Sequence, residues 1–226
     1  MSKDIISEQL RIYSGNYSKF GVTPKGVRNN NEESQYLRFA RILNSFNLSK
    51  PFSIHDIGCG TCALHKYLLN KKTQHVYYGS EIVNDMVIDS QKTYPEAKLF
   101  IRDILKTGKI EKCNIVVSSG TFYIKGKTSK KAWEKYVYST IMKMFEISTT
   151  GISFNMLTSY NTFESTELAY FSPLKVLDFC INNLSRYTYI DNAYPLYEFT
   201  VTVLQQKHIQ AEFRDKSFAK YFKNDK

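Results

Sequence analysis

The chain has 226 residues, 42% of them hydrophobic and 23% charged, a balance that suits one folded domain with a sizeable core and excludes a disordered chain. No apolar run approaches the roughly 18 residues that span a bilayer, and the start, MSKDIISEQLRIYSG, lacks a signal-peptide core, so a cytoplasmic protein without a membrane partner is expected. The net charge of +10 raises a nucleic-acid partner, but the excess is scattered lysine, densest in KGKTSKKAWEK (125–135) and RDKSFAKYFKNDK (214–226), which suits solvated faces and an anionic small-molecule partner better.

In chain order, residues 1–50 are expected to form a helical cap or lid ahead of a main domain over 51–226. Within the cap, YSGNYSKFGVTPKGVR (13–28) is rich in Gly, Ser, Tyr and Pro and reads as a flexible cover. NNNEESQYLRFARILNSF (29–46) reads as an amphipathic helix with Leu37, Phe39, Ala40, Leu43 and Phe46 inward. From residue 51, apolar runs alternate with helical patterns, the arrangement that builds a parallel sheet. The expected strands are 52–57, 75–82, 97–104, 114–120 and 151–160, with helices over 63–71, 83–94 and about 130–147. Pro95 ends the second of these helices, and Pro173 opens another over 173–184. The segments 185–193 and 196–206 are two strands joined by a turn at Tyr194-Pro195. A turn that short cannot make a parallel crossover, so they pair antiparallel.

Strand one runs into HDIGCGTCALHKYLL (55–69), where Gly58, Gly60 and Ala63 fall at a dinucleotide-binding spacing. Asp56 ends that strand, Glu81 ends strand two, Asp103 ends strand three, and Ser118-Ser119-Gly120 end strand four. Acids along one crevice suit hydroxyls, an amino group and a cation, whereas Asp56 beside the loop repels a pyrophosphate. The ligand favoured is an adenosine carrying an amine and a positive sulfur, S-adenosylmethionine. Cys59 and Cys62 form a C-x-x-C, but no second pair follows at metal-ligand spacing, and both read as small loop residues rather than a zinc or redox pair. His55 alternates with buried strand positions; His65, His75 and His208 read as surface or boundary residues. The four histidines have no metal spacing, and no metal is implied.

At these residues the chain resembles the class I S-adenosylmethionine-dependent methyltransferases. The resemblance covers residues 51–206. Asp56, Gly58, Cys59 and Gly60 look like the family's first motif, Glu81 like its ribose-binding acid, and Asp103, with Ile104 beside it, like the acid near the adenine amino group. Ile82 and Met86 match the apolar positions that sandwich adenine, and Ser118, Ser119 and Gly120 complete the crevice. Asn114 stands where the fourth motif commonly opens with an acid. The implied fold is a Rossmann-like, seven-stranded, mostly parallel α/β sheet, order 3-2-1-4-5-7-6 with the last strand antiparallel and helices on both faces. FGVTPKGVR, SSGTFY, SFNMLTSY and YPLYEFTV further resemble small bacterial methyltransferases associated with surface-polysaccharide genes. That likeness implies that Tyr17, Arg28 and Arg38 close over the cofactor, an arginine pairing with its methionine carboxylate.

The implied activity is methyl transfer to O or N of a small molecule, such as a sugar or nucleotide-sugar, with S-adenosylhomocysteine as product; an RNA acceptor held on the lysine patches is the alternative. An alcohol acceptor needs a proton acceptor. The candidates for catalysis are Tyr123, Asn155, Tyr160 and Glu198, Asn155 only as an orienting group, and Tyr123, Tyr160, Tyr170 and Tyr194 are the tyrosines placed to touch substrate.

Overall fold

The computed structural model describes residues 2–28 and 31–222. Asn29 and Asn30, expected to open a helix, and the last four residues of the lysine-rich tail lie outside the described residues. The elements are α1 (Ser2–Phe20), a 3-10 turn (Pro24–Val27), α2 (Glu32–Leu43), β1 (Phe52–Ile57), α3 (Ala63–Asn70), β2 (His75–Glu81), α4 (Asn84–Thr93), β3 (Lys98–Ile101), β4 (Cys113–Ser118), α5 (Lys130–Ile147), β5 (Ser148–Thr158), β6 (Tyr170–Phe171), α6 (Pro173–Asn183), β7 (Thr188–Asp191), β8 (Glu198–Leu204), α7 (Gln206–Glu212) and a final 3-10 turn (Lys216–Tyr221).

One sheet carries the fold, in the order β3-β2-β1-β4-β5-β8-β7, with the two-residue β6 paired to β5 off this path. β8 is antiparallel to both of its neighbours, and the other pairs are parallel. This is the expected sheet, with one short strand added inside the polar, aromatic segment after β5. The order reverses between β1 and β4, so the loops at their carboxyl ends diverge and leave a crevice there.

Helix starts follow from capping chemistry. Asn31, Ser129 and Ser172 each accept a hydrogen bond from an otherwise orphaned backbone N–H of α2, α5 or α6, and Pro173 occupies the first turn of α6. The sheet is buried on both faces. Phe39, Ile42 and Leu43 of α2 and Leu64 and Leu68 of α3 pack with Phe52, Ile54, Ile115 and Val117. Val137, Ile141 and Met144 of α5 and Val176 and Cys180 of α6 pack with Val116, Ile152, Phe154 and Val201. Among the described residues no helix is long and apolar enough to cross a membrane.

Three expectations are corrected. Residues 13–20 are not a flexible cover but the second half of α1: Ile5, Gln9, Tyr13 and Tyr17 recur every four residues on one face, and packing of that face outweighs the weak helix propensity of Gly15 and its serines. On α2 the buried stripe is Gln35, Arg38, Phe39, Ile42 and Leu43, while Ala40 is exposed and Leu37 only half-buried. The stripe is rotated because two polar residues on it face the crevice rather than solvent. His65 is not at the surface either: it is 2% exposed, stacked on Tyr77 and hydrogen-bonded to His75 and Glu96.

Candidate active site

At the carboxyl ends of β1, β2 and β4 the chain encloses a cavity of about 400 Å³, within the roughly 300–1,000 Å³ of small-molecule sites. Its floor is the loop after β1. Gly58 and Gly60 have φ of +74° and +52°, the left-handed region that favours glycine. A Cβ on Gly58 would stand 2.4 Å from Thr121 Oγ1, so this backbone passes closer to the neighbouring loop than any side chain permits. Two hydroxyls, Ser118 and Thr121, donate to the carbonyl of Ile57 and fix the β1 and β4 loops together.

Four carboxylates line the cavity. Asp56 is 4% exposed and accepts a 2.8 Å hydrogen bond from the Tyr77 hydroxyl; burial, assisted by the charge of Glu81, pushes its pKa up to about 7. Glu81 accepts from the backbone N–H groups of Gly60, Ile82 and Val83 at 2.6–3.0 Å, and burial raises its pKa against those bonds. Those three bonds leave one of its roughly four lone-pair sites unused, and its orientation is fixed. Asp103 lies two residues beyond the end of β3, where one oxygen accepts from Leu105 N and the other is buried with no hydrogen-bond partner. A buried unpaired carboxylate oxygen is costly unless a ligand donor reaches it. Glu198 is the fourth. Arg38 meets it through Nε at 2.9 and 3.0 Å and through Nη2 at 2.6 Å, and the Tyr123 hydroxyl donates to it at 2.5 Å.

Gln9 and Tyr13 of α1 line the cavity, and hydrogen bonds along the helix tie it to the rest of the chain. Tyr17 donates to Asp89 on α4 at 2.8 Å, while Gln9 donates to the carbonyl of Ile124 and Glu8 accepts from Lys127 N. Val27, from the turn after α1, stands 3.0 Å from where a Cβ on Gly60 would lie.

Of the residues singled out in the sequence, Asp56, Gly58, Cys59, Gly60, Glu81, Ile82, Met86, Asp103, Ile104, Ser119, Gly120, Arg28, Arg38, Tyr123 and Glu198 all line the cavity. Tyr17 and Ser118 lie behind the lining, in the structural bonds just described. Asn155 is fully buried, with its Oδ1 accepting from Gly120 N at 2.8 Å, so it shapes the loop after β4 rather than facing the cavity. Tyr160 is 67% exposed and outside the lining. Tyr170 and Tyr194 are outside it too; the Tyr194 hydroxyl is 3.0 Å from that of Thr200. Asn114 is at the opposite end of β4, bonded to Ser53. Gln9, Tyr13, Gln35, Arg102, Tyr136 and Phe163 complete much of the wall and were not anticipated. Gln35 was legible in principle, three residues before Arg38 on one helix face.

The architecture is that of the class I S-adenosylmethionine-dependent methyltransferases. The DhpI–SAH complex superposes with a TM-score of 0.61 at 13% identity, over 89% of this chain and 97% of that one. The N-methyltransferase NodS of Bradyrhizobium japonicum, solved with S-adenosyl-L-homocysteine, gives 0.60 at 10% identity over 88% and 98%. Magnesium protoporphyrin IX methyltransferase of Synechocystis, solved with bound SAM, gives 0.55 at 14% over 76% and 78%. No protein-family model matches the chain. It is, however, 31% identical over 160 residues to Rv1506c of Mycobacterium tuberculosis, a protein named as a candidate methyltransferase, a match that takes in 70% of this chain and 95% of that one. The chain belongs to the S-adenosylmethionine-dependent methyltransferases, and S-adenosylmethionine is its cofactor.

Proposed function

We propose that this methyltransferase acts in the cytoplasm on O or N of a small molecule, with a sugar or nucleotide-sugar as the acceptor, and that residues 1–50 cap the site. The observation that supports it is the cavity itself: Gln9 and Tyr13 of α1 stand in one wall together with the glycine loop, and the space between suits a small ligand. The magnesium protoporphyrin IX methyltransferase among the structural neighbours is, by its name, an enzyme with a small-molecule acceptor.

S-adenosylmethionine supplies a methyl group on a positively charged sulfur. The chain's own groups then divide the work of holding it. Asp103 Oδ2, buried and without a partner, fits an exocyclic amine. Glu81, locked by three backbone N–H groups, presents its remaining acceptor capacity to ribose hydroxyls, and Met86 and Ile82 offer apolar contact to a base. Asp56 meets the ammonium. Arg38 is held in the ion pair with Glu198, so the methionine carboxylate falls to Arg28, whose nearest carboxylate, Glu167, stands 4.0 Å away and is itself exposed. The protein's contribution to rate is alignment of the acceptor in line with the sulfur–methyl bond.

Calorimetric titration tests the cofactor wall: Glu81→Gln and Asp103→Asn are each expected to weaken S-adenosylmethionine binding by about ten- to a hundredfold, with NAD not bound by the parent. Unchanged affinity in both variants would overturn the assignment of these residues.

A further inference from the structure

We propose that the acceptor atom is an anionic oxygen, a carboxylate or phosphoryl oxygen, and not a hydroxyl or an amine. The inference rests on the methyltransferase reading above and narrows its acceptor.

Methylating a hydroxyl leaves a positively charged oxygen that must lose a proton, so a base has to stand at the acceptor. An alkyl amine arrives protonated at neutral pH and must lose its proton first. Neither acceptor finds a base here. No histidine lines the cavity among the described residues. Glu198 has about four lone-pair sites and accepts three hydrogen bonds from Arg38 and one from the Tyr123 hydroxyl. To receive a proton it would have to give up the guanidinium, and both partners are nearly fully buried, at 9% and 3% side-chain exposure. Tyr123 already spends its proton on Glu198, and burial, then the charge of Glu198, holds its hydroxyl protonated. Asp56, Glu81 and Asp103 are on the cofactor wall. Leu157 is paired with Glu198 across β5 and β8, and the apolar Phe163 and Leu168 also line the cavity.

An oxyanion needs none of this. Its lone pair forms the new oxygen–methyl bond while the sulfur–methyl bond breaks and its electron pair returns to sulfur. The acceptor loses one negative charge and the sulfonium its positive one, so a carboxylate becomes a neutral ester and a phosphate monoester a singly charged diester, and no proton moves. Opposite charges brought together in a partly enclosed cavity attract more strongly than in bulk solvent. The net charge of +10 favours the approach of an anion from a distance.

The test offers the purified protein S-adenosylmethionine labelled in its methyl group and four acceptors on one sugar ring: glucuronate, glucose 6-phosphate, glucose and glucosamine. Cofactor binding is measured first by calorimetry; its failure would strike the methyltransferase reading itself and not the acceptor class. With the cofactor bound, label is expected on one acid at least tenfold above glucose and glucosamine. Label released as methanol by mild alkali places it on the carboxylate, and a shifted phosphorus resonance places it on the phosphoryl oxygen. Equal or greater transfer to glucose or glucosamine, or transfer to neither acid, would overturn the proposal.

Discussion

Asp56 stands one residue before the end of β1, and with its pKa pushed up to about 7 its proposed contact with the cofactor's ammonium would make binding depend on pH. Only the ionised carboxylate attracts an ammonium. Affinity for S-adenosylmethionine is therefore expected to be constant above about pH 7 and to fall by up to about tenfold per unit below it, with proton release seen by calorimetry in buffers of different ionisation enthalpy. Asp56→Asn should flatten that profile and bind about ten- to a hundredfold more weakly at pH 8; a profile as steep as the parent's would refute the role. Gly58 is the other position where one atom decides. Gly58→Ala forces an alanine to φ +74° and a Cβ against Thr121, and is expected to cost about 2–4 kcal/mol in urea denaturation. The acids at 56 and 81 and the glycines were legible because strand ends are legible. Tyr77, which holds Asp56, was not, because its partner lies across the sheet rather than along the chain.

At the scale of elements, the Arg38–Glu198 pair ties α2 to β8 across 160 residues of sequence. Breaking one side of a buried pair leaves an uncompensated charge, whereas replacing both sides removes the desolvation cost as well. Arg38→Met and Glu198→Gln should each destabilise by about 3–5 kcal/mol, and the double variant by clearly less than their sum. Additive losses would mean that the two side chains do not interact in solution. α1 behaves differently, since Tyr17→Phe removes one bond to Asp89 and keeps the ring buried. About 1 kcal/mol of stability and a few-fold faster cofactor release by stopped flow are expected, with no change in release counting against a capping role for α1. Glycine, serine and tyrosine content made the second half of α1 read as a loop. Its helix forms because Ile5, Gln9, Tyr13 and Tyr17 pack over strand ends that composition does not reveal.

Across the whole molecule, two buried groups pull stability in opposite directions with pH. Burial, reinforced by Arg102, lowers His55 from 6.5 to about 3, so the unfolded chain takes up a proton that the fold refuses. Its contribution is complete above about pH 6.5 and is lost by about 1.4 kcal/mol per unit as pH falls towards 3. Asp56 is raised instead: between pH 3.8 and about 7 the fold keeps a proton that the unfolded chain releases, so its contribution grows as pH falls through that window. The two slopes oppose each other from about pH 6.5 to 4. Asp56→Asn is therefore expected to steepen the acid loss by about 1 kcal/mol per unit in urea denaturation across that range, and His55→Gln to shallow it. Parallel curves for parent and variants would show that neither group titrates as described.

The strands of the main sheet, its closure by an antiparallel strand, the glycine loop and its acids were determined by the sequence, while the two-residue β6 was not. Each is a local pattern: alternation, a helix period, a short turn, or a residue at the end of a run. Which groups meet was decided only by the tertiary structure. Arg38 and Glu198, two separate candidates in the sequence, are one ion pair, and Asn155 is turned into the loop after β4. Pairing depends on which strand ends the fold brings within 3 Å, and hydrogen bonds and ion pairs across the crevice leave no periodicity in the chain to read.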